Sequence, residues 1–168
     1  MKIPESFNSC ITAYHEAGHA VVGYALGKRF RYISIIPDIK KEIVGCVLWH
    51  TKRSLIYRNL KGRLKAETEV MITCGGLIAE NRALLRTLST DEKNHDGELR
   101  QNMWLLDFLV CGTAHEKARD SKQLSYDEAN RESQAYFDWL YLRTEKLLNE
   151  PKWWASVEML TLNPKDRF

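Results

Sequence analysis

The 168-residue chain has no apolar run near the ~20 residues that a membrane-spanning helix needs, so no membrane span is expected. Its opening residues, MKIPESFNSC, lack the apolar core of a secretory signal. Cysteine is sparse. Cys10, Cys46, Cys74 and Cys111 are widely spaced and form no CxxC pair. That argues against a disulfide framework and against a cysteine-type zinc site, and it predicts buried thiols in a reducing compartment. A cytoplasmic address is the corresponding expectation. An excess of one charge is lacking as well: 25 Lys and Arg stand against 22 Asp and Glu, a net +3. So mild a balance gives no argument for nucleic acid as a partner. There is no internal repeat, low-complexity run or linker. With 44% hydrophobic residues, the chain reads as one globular domain over residues 1–168.

What is present is concentrated in residues 11–26, ITAYHEAGHAVVGYAL. Asn8 and Ser9 are good N-cap residues, and Gly27 stands where a left-handed C-terminal glycine belongs. Ile11, Tyr14, Gly18, Val21, Val22 and Ala25 recur at three- and four-residue steps, which predicts a helix with one apolar face. On that helix His15 and His19 lie one turn apart on the same side. Together with Glu16 they make an HExxH pattern, expected by chance about 0.01 times in a chain of this composition. Two imidazoles so placed suit two corners of a zinc tetrahedron, and Glu16 is placed to take a proton from a water that the metal acidifies.

The remaining elements follow in order. Residues 31–36, RYISII, and 43–49, IVGCVLW, read as two strands of a small antiparallel sheet, with Gly45 marking a bulge or a close backbone approach. The basic cluster Lys28, Arg29 and Arg31 reads as a solvated edge. Residues 60 to about 85 read as a long helix. Its Gly75-Gly76 pair costs about 2 kcal/mol relative to alanine, so another backbone is expected to cross there. A further helix is expected from near Asp96 to Cys111. Ser125-Tyr126-Asp127-Glu128 is a capping box that opens a helix through about Asn149, and Pro151 fits the first turn of a last helix. The expected class is α+β, mainly α with one small antiparallel sheet.

A catalytic zinc site needs three protein ligands. An HExxHxxGxxH extension would need a histidine at position 25, which is Ala25. An acidic third ligand could be Glu67, Glu69, Glu80, Asp91, Glu92, Asp96 or Glu98, and spacing does not choose among them.

The segment ITAYHEAGHAVVGYAL resembles the zinc helix of the FtsH family, the membrane-bound AAA proteases, which commonly reads TAYHEAGHAVV. Further landmarks follow in the same order. Ile33-Ser34-Ile35-Ile36-Pro37 resembles the family's Val-Thr-Ile-Ile-Pro, and Val44-Gly45-Cys46-Val47 its Leu-Gly-Tyr/Val-Thr strand. Gly75-Gly76-Leu77-Ile78-Ala79-Glu80-Asn81 resembles Gly-Gly-Arg-x-Ala-Glu-Glu. Asn94-His95-Asp96-Gly97-Glu98-Leu99 stands where the family's Ser-Asn-Asp-Leu supplies the third zinc ligand. The resemblance covers about residues 10–112. It implies an FtsH peptidase-like fold that binds zinc through His15, His19 and Asp96, with Glu16 as catalytic base. The implied activity is that of a zinc metalloendopeptidase hydrolysing peptides or unfolded proteins. The family's ATPase and transmembrane segments have no counterpart in these residues, its Thr-Gly-Ala-Ser is not preserved, and Asn81 replaces its second glutamate. Activity without ATP is therefore expected of this chain on its own. A catalytically inactive zinc-bound peptide-binding or regulatory module of the same fold is the alternative, and homo-oligomerisation is left open.

Overall fold

Small residues determine how closely the first two long helices approach. Helix α1, Glu5–Ala25, carries Ala13, Ala17, Gly18, Ala20, Val21 and Val22 on its buried side. Helix α2, Leu60–Thr87, answers with Ala66, Val70, Cys74, Gly75, Gly76 and Ala79. Where they cross, a Cβ on Gly18 would fall 2.7 Å from the Ala79 Cβ and collide with the Gly75 carbonyl. A Cβ on Gly75 would fall 2.8 Å from the Gly18 carbonyl oxygen. The backbones therefore touch, as the paired glycines predict. The helix continues through them because the packing across this contact offsets their low propensity.

The computed structural model describes residues 5–36, 45–50, 60–87 and 126–162. After α1, Gly27 adopts φ of 83° and ends the helix as expected. Strand β1, Phe30–Ser34, then pairs antiparallel with β2, Cys46–Trp49, with Ile33 opposite Val47 and an irregularity between Phe30 and Tyr32. Helices α3, Tyr126–Asn149, and α4, Pro151–Leu162, follow with Glu150 between them. Leu140, Leu148, Trp154 and Val157 of these two helices join the α1–α2 core. Among the described residues the molecule is thus mostly helical with a two-stranded antiparallel sheet, the α+β class that the periodicity predicts.

Three local expectations are corrected. Of the cysteines expected to be buried thiols, Cys74 is buried, but Cys46 is half-buried and Cys10, on α1, is exposed. Asn8 and Ser9 are not caps, because α1 begins at Glu5 and contains both. A glutamate suits the positive end of a helix dipole, and the proline that precedes it in sequence suits a helix start. Lys28 is not a solvated edge residue. Its Nζ donates to Glu69 Oε1 at 2.6 Å and lies 4.5 Å from the centre of the Trp49 ring. This fastens the α1–β1 turn to α2. Arg29 and Arg31 are exposed, as expected.

Candidate metal centre

His15 and His19 project from successive turns of α1 toward α2, and α2 fixes both rings. The acceptors in question are a carboxylate and a backbone carbonyl. The His15 Nδ1–H donates to Glu80 Oε2 at 2.8 Å. The His19 Nδ1–H donates to the Ile72 carbonyl oxygen, also at 2.8 Å. A carbonyl oxygen only accepts, so Nδ1 of His19 must carry the proton, and an ionised Glu80 demands the same of His15. With Nδ1 protonated, a neutral ring presents Nε2 as an acceptor. The two Nε2 atoms face each other at 2.9 Å, with the rings nearly perpendicular at 89°. Two lone pairs at that distance repel unless a cation, a proton or a metal ion, lies between them.

The two Nε2 atoms stand near the spacing that two histidine ligands of one zinc ion would have. Tetrahedral Zn–N bonds of ~2.0–2.1 Å place two nitrogens ~3.3 Å apart. A few tenths of an ångström of ring movement separates that from the observed spacing. Each ring also has the Nδ1–H acceptor that a metal-bound histidine usually has. Gly76 makes room for this arrangement, since a Cβ there would come within 2.6 Å of His19 Nε2.

Glu16 lies beside the pair and is buried. Its side chain is covered by the backbone at Gly45, just ahead of β2. Gly45 is therefore a point of close approach, one of the two roles that its place in the sequence suggests. Glu80 takes no place among potential metal donors, because its carboxylate is engaged on the Nδ1 edge of His15, away from Nε2. Glu67 receives the Tyr136 hydroxyl, and Glu69 receives Lys28. Asp91, Glu92, His95, Asp96 and Glu98 lie outside the described residues. Among the described residues no group of three or more His, Cys, Asp or Glu is arranged to hold a metal ion.

The sequence places His15 and His19 on one side of a helix, where their rings meet, but gives no sign of the Ile72 carbonyl. A backbone acceptor carries no residue identity. The only trace is the glycine pair, which marks α2 as the element that comes close. No model of a known protein family matches the chain, and no curated protein matches it. No helix among the described residues is long and apolar enough to cross a membrane.

Proposed function

We propose that the chain is a zinc-dependent metalloendopeptidase that acts on extended peptides or unfolded proteins, with a peptidase fold similar to that of the FtsH family. The observation that carries this reading is the His15–His19 pair, with converging Nε2 atoms and both Nδ1 atoms held by acceptors on α2. His15 and His19 would hold the metal, and Asp96, from the resemblance, would be the third ligand. Zinc in that position would supply a Lewis acid that polarises the scissile carbonyl and acidifies a water.

The protein's own groups do the rest. Glu80 and the Ile72 carbonyl keep both imidazoles in the tautomer that presents Nε2. Glu16 takes the proton of the attacking water and returns it to the leaving amine. The described sheet has two strands. An extended peptide laid along β2 would add a third and be held by main-chain hydrogen bonds.

The test combines metal analysis with turnover of an unstructured fluorogenic peptide. Protein purified without added metal is expected to hold one zinc and cleave the peptide. Glu16→Gln should keep zinc and lose about 10²-fold or more of the activity. Asp96→Asn should weaken zinc binding, whereas Asp91→Asn, Glu92→Gln and Glu98→Gln should not. Wild-type turnover in Glu16→Gln would refute the role of the base. Zinc without any turnover in the parent chain would favour the binding-module alternative.

A further inference from the structure

We propose that Gly45 is a positioning residue for the Glu16 carboxylate, its absent side chain forming the slot in which that carboxylate is held. This inference rests on the peptidase reading for its consequence and on packing for its substance. A Cβ on Gly45 would lie 2.8 Å from both Cγ and Oε1 of Glu16, and 2.9 Å from Cγ2 of Thr12. Gly27 is the described glycine with a positive φ, whereas the crowding at position 45 comes from the side chains of Glu16 and Thr12. Those neighbours leave no room for a side chain.

Glu16 has nowhere to retreat. It is 7% exposed and rises from the buried stretch of α1 that includes Ala13, Ala17 and Ala20. The wall opposite is also fixed. Just beyond Gly45, Cys46 pairs with Ser34 and Val47 with Ile33. At the far end of β2, Trp49 packs over Gly23 and beneath Lys28. The head of β2 is therefore held against α1 from both ends of the strand. The Glu16 side chain lies between these two surfaces, on the residue that follows His15. A methyl group on residue 45 would redirect the carboxylate while leaving both imidazoles and their α2 acceptors in place.

The experiment uses the full chain and reads stability, zinc content and peptide turnover together. Gly45→Ala is expected to lower the melting temperature clearly more in the wild-type background than in a Glu16→Ala background, where the two nearest crowded atoms are gone and Thr12 Cγ2 remains. It should keep stoichiometric zinc and reduce kcat by about tenfold or more, with KM within twofold. A melting-temperature loss that persists in full in Glu16→Ala but disappears in Thr12→Ser would assign the slot to Thr12 and overturn the proposal. An unchanged kcat would also overturn it. If Gly45→Ala does not fold, recovery of folding by Glu16→Ala supports the slot, and failure of both variants to fold refutes it. If the parent chain cleaves nothing, the peptidase reading falls, and the stability comparison still decides whether residue 45 confines Glu16.

Discussion

His15 and His19 each engage an acceptor on α2 through Nδ1, and in the proposed site Nε2 of each ring would be the metal ligand. That division of labour gives a graded prediction. His15→Ala or His19→Ala removes a donor and should abolish stoichiometric zinc binding. Glu80→Ala removes only the acceptor that orients His15 and should weaken zinc affinity by about 10–100-fold, as losses of outer hydrogen-bond partners do. Competition with a chromophoric chelator would measure both, and unchanged affinity in Glu80→Ala would remove His15 from the proposed site. A different residue reports on the core. Cys74 is buried between α1, α2 and α3, and burial pushes its thiol from the ordinary 9.0 up to about 12. Between those values the unfolded chain gives up a proton that the folded chain keeps. The stability contributed by the neutral thiol is therefore complete below pH ~9 and is lost as pH rises through about 12. Urea melts at successive alkaline pH values should show a shallower decline for Cys74→Ala than for the wild type.

Among the elements, α1 and α2 carry the candidate site between them, and neighbouring glycines of α2 do different work there. Gly75 faces the Gly18 carbonyl and Val22, where a methyl group would push one helix backbone from the other. Gly76 faces the His19 ring. Gly75→Ala is expected to cost ~1–3 kcal/mol of stability through overpacking. Gly76→Ala should instead displace the imidazole and weaken zinc binding at a smaller cost in stability. Chemical denaturation and zinc titration of the two variants separate these effects, and identical behaviour would mean that the crossing is looser than described. The same elements explain what the sequence discloses. The apolar face of α1, its HExxH spacing, the glycine pair and the two β-branched segments are local patterns, and they foretell the helix, the close crossing and the sheet. The start of α1 is less legible, because Asn8 and Ser9 suit a cap but are also tolerated within a helix. Lys28 misleads because its partners, Glu69 and Trp49, are distant in sequence. The Ile72 carbonyl is invisible for a more basic reason: every residue has one, and only the approach of α1 gives this one a role.

At the scale of the molecule, α2 is tied to α3 and α4 as well as to α1. Arg82 donates to Asn149 Oδ1 at 3.0 Å, and its guanidinium lies 3.8 Å from the centre of the Trp154 ring. Tyr14 of α1 stacks on the same tryptophan with ring centres 6.1 Å apart. The helices that carry His15, Glu16, His19 and Glu80 are therefore parts of one packed body. A peptidase site built into such a body would act on a substrate chain that is already extended. The 168 residues contain no GxxxxGK[ST] phosphate-binding loop through which ATP could supply force. If the chain is the proposed peptidase, its rate of cutting a folded protein would be limited by how often the substrate opens by itself. A substrate stable by ~5 kcal/mol exposes its cleavage sites only about 10⁻⁴ of the time. A small domain and a destabilised, unfolded variant of it, differing by one core substitution, make the comparison. The unfolded variant should be cleaved roughly 10⁴ times faster at equal subsaturating concentration, and ATP should change neither rate. Equal rates on the two forms, or acceleration by ATP, would show that the chain does mechanical work on its substrate and that an extended peptide is not what this site requires.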